Sequence, residues 1–318
     1  MAEIGKDIFK AKEILEKGGV VAIPTETVYG LAGNALNPEA VLKIFKVKER
    51  PSFDPLIVHT NSLEKINDFV LGIPDKAHQL IESFWPGPLT LLLEKKNIIP
   101  DLVTSGLDRV AVRIPSHPLT LRLLEQLNFP LAAPSANPFG YISPTTAAHV
   151  NDQLGDKIGY ILDGGACSVG IESTILGFED QKPVIYRLGG ISIEQIENII
   201  GRVTARSHST SNPSAPGMLK SHYAPKKPIH IGNIDSLIQQ YKGEIFAILS
   251  FNKIFAGVDE KYQLTLSDMG DLEEAATNFF SALRTLDNMA VDFIITDFVP
   301  DMGLGKAIND RLRRAASK

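Results

Sequence analysis

The stretch KVKERPSFDPLIVH, residues 46–59, carries the local signals from which the fold is read. Upstream of it, Asn37 and Pro38 read as an N-cap and first helical residue, for a helix through about Phe45. At its far end LIVH (56–59) is a short apolar strand. A helix that hands the chain through a proline-stiffened loop into a strand is a unit of α/β architecture. The same stretch places Lys46, Lys48 and Arg50 within five residues. Cations at a helix C-terminus complement its dipole. Cations held in a stiff loop also suit an anionic ligand. Spacing alone fits both readings.

The pattern continues on either side. MAEIGKDIFKAKEILEKGG reads as an amphipathic helix, with Ile8, Phe9, Ala11, Ile14 and Leu15 on one stripe and Gly18-Gly19 at its end. VVAI (20–23) is a strand that stops at Pro24, and TETVYGLAGNAL (25–36) reads as a polar, glycine-bearing loop. A helix is predicted over 75–84, then the turn WPGP (85–88). LTLLLE (89–94) and VAVRIP (110–115) are strands, Pro118 to Leu127 is helical, and LAAPSAN (131–137) is a buried strand running into a polar loop. YILDGG (160–165), ESTILGF (172–178) and PVIYRL (183–188) are the last strands of this half. Ser192 and Gln195 make a capping box for a helix near 193–200. Strands and helices mix without strict alternation, which predicts an α/β sheet with some antiparallel pairs.

Composition shifts at about residue 205. ARSHSTSNPSAPGMLKSHYAPKKP, rich in Ser, Pro, Asn and His, shows no period and reads as a linker. Beyond it GEIFAILS, the strand-like YQLTLS, a helix over 270–288, DFIITDF and a basic helix over 306–316 predict a second, small α/β domain. The expected division is a catalytic domain over 1–205, a linker over 206–228 and a C-terminal domain over 229–318.

The chain has 318 residues, 44% hydrophobic and 22% charged, in the range of a globular protein of two domains. Its net charge of −5 disfavours a module whose main task is gripping RNA and points, for any basic pocket, to a small anionic ligand. The lone cysteine, Cys167, excludes an internal disulfide and fits a reducing compartment. The N-terminus lacks the apolar core of a signal peptide, and no stretch has the apolar length of a membrane span, so a cytoplasmic protein without membrane contact is expected.

Familiar catalytic motifs are missing. GLGK (303–306) is followed by Ala307 instead of a hydroxyl residue, there is no GxGxxG after a strand, and neither CxxC nor HExxH occurs. What remains is a series of polar clusters at strand ends, where α/β proteins bind ligands. They are Thr25, Glu26, Thr27 and Tyr29, then Lys48 and Arg50, His59, Arg113, Ser135 and Asn137, Ser143, Ser173 and Arg187. Each also has a plain structural reading. His59 fits a satisfied core histidine, and Ser135, Asn137 and Ser143 fit turns and caps. Arg113 inside an apolar run needs an anion, either a protein carboxylate or a ligand, and Arg187 has the same ambiguity. Taken together, four cations (Lys48, Arg50, Arg113, Arg187) beside hydroxyls and an amide suit a polyphosphate.

The ordered set PTETVYGL, Lys48-Glu49-Arg50, RPSFDPLIVH, FWPGPLTL, VAVRIP, Ser135-Ala136-Asn137 and IESTI closely resembles the YrdC-like domain of the threonylcarbamoyl-AMP synthases. SAPGMLKSHYAP and GLGKAINDRLRRAA look like the linker and tail of that family's long, two-domain form. The resemblance covers nearly the whole chain. It implies an open, twisted, mixed sheet with a concave basic cavity, a small Rossmann-like second domain, and a linker that covers the cavity. It implies a nucleotidyltransferase that joins L-threonine, bicarbonate and ATP into threonylcarbamoyl-adenylate and pyrophosphate, with Mg2+ accompanying ATP. The product would pass to a separate tRNA threonylcarbamoyltransferase.

The resemblance assigns roles residue by residue. Lys48 and Arg50 would neutralise the triphosphate and serve as catalytic groups. Ser135, Asn137, Ser143, Arg187 and Tyr223 would also contact ATP, with Tyr223 closing over the nucleotide. Thr27, His59, Arg113 and Ser173 would bind threonine. Asp54 stands in the ATP-binding loop where many relatives have Asn. Its carboxylate would repel phosphate unless magnesium bridges it, it turns away, or only its backbone matters. Metal ligands, oligomeric state and direct tRNA binding stay open at this point. So do two rival readings: an RNA-binding module of the same fold without ATP turnover, and carbamoyl-adenylate chemistry on another acceptor.

Overall fold

The structure, a computed structural model, describes residues 1–206, 215–216 and 223–317. Its first eleven strands are β1 (Glu3–Gly5), β2 (Val21–Ile23), β3 (Gly30–Asn34), β4 (Ile57–His59), β5 (Leu89–Glu94), β6 (Arg109–Arg113), β7 (Leu131–Ala132), β8 (Tyr160–Leu162), β9 (Thr174–Glu179), β10 (Lys182–Arg187) and β11 (Thr204–Ala205). They form one sheet in the order β1-β8-β2-β3-β7-β4-β6-β5-β9-β10-β11. Parallel pairs such as β4 with β6 and β5 with β9 alternate with antiparallel ones such as β5 with β6 and β9 with β10, so the sheet is mixed. Four further strands, β12 (Ile229–Ile231), β13 (Phe246–Ser250), β14 (Gln263–Thr265) and β15 (Phe293–Thr296), form a separate parallel sheet in the order β12-β15-β13-β14.

Two stretches depart from the sequence reading. The glycine-bearing run 25–36 contains β3, which pairs with β2 and β7 and is almost wholly buried. Gly33 explains why a poor strand former serves there. A Cβ on it would lie 3.2 Å from Ile44 Cδ1 and 3.4 Å from the Ala40 carbonyl, so the glycine lets a helix lie close on the sheet. At the N-terminus residues 3–5 are a strand instead of the start of a helix. The helix begins at Ile8, with the Asp7 carboxylate accepting from the Phe9 and Lys10 amides. The Asp7 amide in turn donates to the Tyr160 hydroxyl at 2.9 Å, which anchors this edge beside β8. Short helices at Leu63–Asn67, Asp101–Thr104, Ala147–Leu154 and Ile234–Gln240 also form in stretches with no strong period.

The helix Pro38–Lys48 is capped by Asn37 and runs past Phe45 to Lys48. It stops because Glu49 takes a left-handed conformation (φ 54°), which lets the Glu49 and Arg50 amides close on the carbonyls of Lys46 and Phe45. Val41, Ile44 and Phe45 face the main core, in which Leu31, Val58, Leu91 and Val112 of the sheet are buried. A second core belongs to the smaller sheet and the helix Leu272–Asn288, and it takes in Val28, Ile142, Ile171 and Tyr223 from the larger unit. Gly170 (φ 77°) marks the closest approach: a Cβ there would lie 2.4 Å from Thr277 Cα. Apolar burial therefore joins the smaller unit to loops of the larger one. Among the described residues no helix is long and apolar enough to cross a membrane.

Candidate active site

Strand register brings the polar clusters together. Parallel β4 and β6 pair His59 with Arg113, so two side chains 54 positions apart leave the sheet side by side. β5 pairs Leu89 with Thr174, which sets Ser173 next to them. The β9–β10 register shifts between Ile185 and Arg187, a bulge-like irregularity at the strand end that carries Arg187. These ends, with the loops around Thr25–Val28 and Pro134–Ser135, line a pocket of about 570 Å³ of empty volume including its open mouth. Thr27, Arg50, His59, Arg113, Ser135, Ser173, Arg187 and Tyr223 all line it.

Arg113 is buried, and each of its guanidinium nitrogens donates one hydrogen bond within the protein. Its Nε donates to the Gly87 carbonyl (3.1 Å), Nη1 to Thr27 Oγ1 (2.9 Å) and Nη2 to Glu26 Oε1 (2.6 Å). Its anion in this structure is thus a protein carboxylate, and the remaining guanidinium edge lines the pocket. Thr25 Oγ1 lies 2.8 Å from Thr27 Oγ1 and donates to the Val28 carbonyl at 2.6 Å, which fixes the turn. His59 is neutral: burial first, and then the Arg113 charge, pull its pKa down to about 3. Its Nδ1 lies 3.2 Å from the Ile57 carbonyl.

Arg50 and Arg187 also line the pocket. Arg50 donates to the carbonyls of Asp54 (3.1 Å) and Pro55 (2.8 Å), and its Nη2 lies 2.9 Å from Asp54 Oδ2. That contact is a close ion pair without hydrogen-bond geometry. Arg187 donates to the Ser173 carbonyl (3.0 Å) and Oγ (2.9 Å), and Ser173 Oγ lies 2.7 Å from Thr90 Oγ1. Burial brings Arg187 down to about 10 against the pull of Tyr223 and Glu172. It remains a cation at neutral pH.

Four residues expected to contact ATP stand behind the pocket wall. Lys48 is buried, and its Nζ donates to the carbonyls of Ser135 (2.5 Å) and Asn137 (2.6 Å). Burial, and then Arg50, pull its ammonium well below the usual lysine value, with Asp54 opposing. Asn137 donates to the carbonyls of Pro138 and Tyr141, while Ser143 donates to Glu172 Oε1 at 2.5 Å. Asp54 is fully buried, with Oδ2 beside Arg50 and its carbonyl accepting from Arg50 Nε. Short polar side chains take the nearest carbonyl or carboxylate because burial without a partner is costly.

Tyr223 takes a left-handed backbone (φ 67°) and its ring is buried. The guanidinium carbons of Arg311 and Arg314 lie 5.1 and 4.8 Å from its centroid, and the Phe280 ring lies 5.6 Å away. Of the remaining linker, Ala215 packs on Ile57, Ala111, Ile175 and Tyr186, and Pro216 lines the pocket. The expected lid residues 207–214 and 217–222, including Ser221 and His222 of SHYAP, lie outside the described residues.

Three participants were assigned no substrate role in the sequence reading: Glu26, which was named only as a member of a polar cluster, and Glu172 and Arg311. Glu172 lines the pocket and holds both Ser143 and Arg311, the latter through Nε at 3.2 Å. Arg311, with no solvent exposure, is kept charged by Tyr223, Glu172 and Asp310 in spite of burial. The signal for Glu26 and Glu172 was only their place beside quoted motif residues. Arg311 likewise stands inside the quoted tail GLGKAINDRLRRAA, on a basic helix. Cys167 takes no part, since burial pushes its thiol up to about 12.

Comparison with known proteins gives consistent relationships. The family model described as Telomere recombination matches residues 13–189, and that of the Threonylcarbamoyl-AMP synthase C-terminal domain matches residues 191–317. The chain is 42% identical to the threonylcarbamoyl-AMP synthase of Bacillus subtilis, over 97% of this chain and 92% of the relative. It is 41% identical to that of Pyrococcus abyssi, over 96% and 93%. The crystal structure of P. abyssi Sua5 complexed with L-threonine superposes with a TM-score of 0.90 at 40% identity, covering 97% of this chain and 94% of that one.

Proposed function

This chain belongs to the threonylcarbamoyl-AMP synthase family, and on that premise we propose how its pocket forms threonylcarbamoyl-adenylate from L-threonine, bicarbonate and ATP. The observation that carries the reading is the register of His59 with Arg113, in one cavity with Ser173, Arg50 and Arg187. Thr27, Ser173, His59 and Arg113 offer hydroxyls, a neutral imidazole and a guanidinium edge, which suit a small amino acid. Arg50 and Arg187 offer two cations that suit a triphosphate.

Threonine sits against Thr27, His59, Arg113 and Ser173. Its carboxylate meets the free edge of Arg113, and the neutral imidazole of His59 reads its side chain. Its amine adds to carbon dioxide drawn from bicarbonate and loses a proton, giving a carbamate. A carbamate oxygen attacks the α-phosphorus of ATP, the bond to the β-phosphate oxygen breaks, and pyrophosphate departs. No protein nucleophile enters. The chain supplies position and preorganised charge. Arg50 and Arg187 face the phosphates, and Lys48 holds the Ser135–Asn137 segment on which the nucleotide rests. Ser143, through Glu172, connects that segment to Tyr223, which closes over the nucleotide with the linker.

Among the described residues no cluster of three or more His, Cys, Asp or Glu side chains forms a metal cage. Mg2+ would accompany ATP, whose phosphate oxygens suit its hard, octahedral chemistry. Residues 1–205 form the catalytic domain, 206–228 the lid and 229–318 the supporting domain. The parallel β12-β15-β13-β14 order supports a Rossmann-like reading of the last. The product passes, in the cytoplasm, to a transferase that modifies tRNA.

Pyrophosphate release measured with Mg·ATP, threonine and bicarbonate, singly and together, tests this. Release that needs both co-substrates is expected. Release that ignores threonine would overturn the reading.

A further inference from the structure

The three pocket arginines are not electrically equivalent. Arg113 and Arg50 are each paired with a buried carboxylate, Glu26 at 2.6 Å and Asp54 at 2.9 Å. Arg187 forms no ion pair among the described residues and donates only to neutral oxygens of Ser173. Glu26 is held at both ends. Oε1 accepts from Arg113 Nη2, and Oε2 accepts from the Ser116 amide at 3.1 Å. It does not line the cavity, whereas Arg113 and Thr27 do. The carboxylate thus fixes the roll of the Arg113 fork and cancels its charge from behind.

A pocket that takes a polyanion and a zwitterion together faces a sorting problem. A bare Arg113 would attract a phosphate chain as strongly as Arg187 does, and a phosphate there would block the amino acid. Specificity of this kind comes from a repulsive element as much as from an attractive one. We propose that Glu26 is a positioning residue that masks the charge of Arg113, keeping polyphosphate on Arg187, the pocket arginine that forms no ion pair among the described residues, while leaving the guanidinium geometry that a single carboxylate recognises. This rests on the proposed function. It adds a residue that touches neither substrate but determines which substrate meets which arginine.

The test uses inorganic tripolyphosphate as a probe of phosphate binding, with the full chain and its Glu26→Gln and Glu26→Asp variants. In wild type, tripolyphosphate competes with Mg·ATP and not with threonine. Its Kd by calorimetry moves less than about twofold when threonine saturates, a near-zero coupling. In Glu26→Gln the KM for threonine rises about tenfold or more, and tripolyphosphate becomes competitive against threonine. A merely structural role would lower turnover without changing the inhibition pattern. Glu26→Asp keeps the charge and shortens the arm, so the threonine KM rises while tripolyphosphate stays non-competitive with threonine.

A Glu26→Gln enzyme that keeps the wild-type threonine KM and inhibition pattern overturns the proposal. So does a Glu26→Asp enzyme in which tripolyphosphate competes with threonine, or wild-type protein in which threonine displaces tripolyphosphate. The calorimetric measurement on wild type needs neither turnover nor a folded variant. Absence of threonine-dependent pyrophosphate release in wild type instead counts against the functional reading.

Discussion

In the larger unit Arg113 and Arg187 at strand ends, and Arg50 just past the end of the helix Pro38–Lys48, are buried and line a cavity. In the smaller unit Arg284, Arg311 and Arg314 are equally buried, but they turn towards the larger unit. Arg284 donates to the carbonyls of Ile142 and Ser143 and to Gln153 Oε1, and it lies over the Tyr141 ring. Arg311 binds Glu172, and with Arg314 it covers Tyr223. One set keeps guanidinium edges facing the pocket, and the other satisfies the partner unit's loops. Buried cations are costly in both places. The first set lines the pocket, and the second meets carbonyls, carboxylates and aromatic faces, with Arg311 Nη2 and Arg314 Nε and Nη2 left without a hydrogen-bond partner. The difference shows how the smaller sheet, which supplies no strand-end residue to the pocket, still sets the position of Glu172 and Tyr223.

Removing one member from each set separates the two uses. Arg311→Ala leaves Glu172 buried beside lost charge, so a loss of about 3–5 kcal/mol in unfolding free energy is expected by denaturant titration. Arg187→Ala should leave the melting temperature within a few degrees while lowering kcat/KM by about 10²–10³. If Arg187→Ala destabilises as much as Arg311→Ala, the division between ligand-facing and structure-facing cations is wrong.

His59 gives a pH test of the same division. Its folded pKa of about 3 lies below the ordinary value of 6.5, so the unfolded chain takes up its proton first. The stability it contributes is present above pH 6.5 and is lost as pH falls towards 3, roughly 2–3 kcal/mol by pH 4. His149, drawn down to about 4 by burial and Arg284, adds to the same decline. Urea titrations of wild type and His59→Gln between pH 7 and pH 4 should show a shallower decline in the variant. Threonine kcat/KM should show no His59 inflection near 6.5.

The smallest effect is expected at the exposed Lys306–Glu194 pair, 2.6 Å apart, which also spans the two units. Lys306→Ala should cost less than about 1 kcal/mol. A larger loss would mean that the contact between units depends on rim charge instead of on the apolar core and the buried arginines.

Much of the fold was legible. The helix after Asn37, the strands LIVH, LTLLLE, VAVRIP and PVIYRL, and the capping box at Ser192 all stand close to where pattern and cap chemistry put them. β3 was not legible, because its glycines argue against a strand until a helix is packed on Gly33. β1 was missed because three residues carry too little period, and pairing with β8 is what makes them extended.

For the site, residue types and the order of the family's motifs were enough to gather Thr27, Arg50, His59, Arg113, Ser135, Ser173, Arg187 and Tyr223 as candidates, although each also had a plain structural reading. They were not enough to separate these from Lys48, Asp54, Asn137 and Ser143, which stand behind the wall. Register and burial made that separation. The anion for Arg113 is Glu26, 87 positions away, and the partner of Arg311 is Glu172, 139 positions away. Local chemistry decides that a buried guanidinium must have a carboxylate or carbonyl. Chain folding alone decides which one, because Coulomb attraction and hydrogen bonding act over a few ångströms of space and are blind to distance along the sequence.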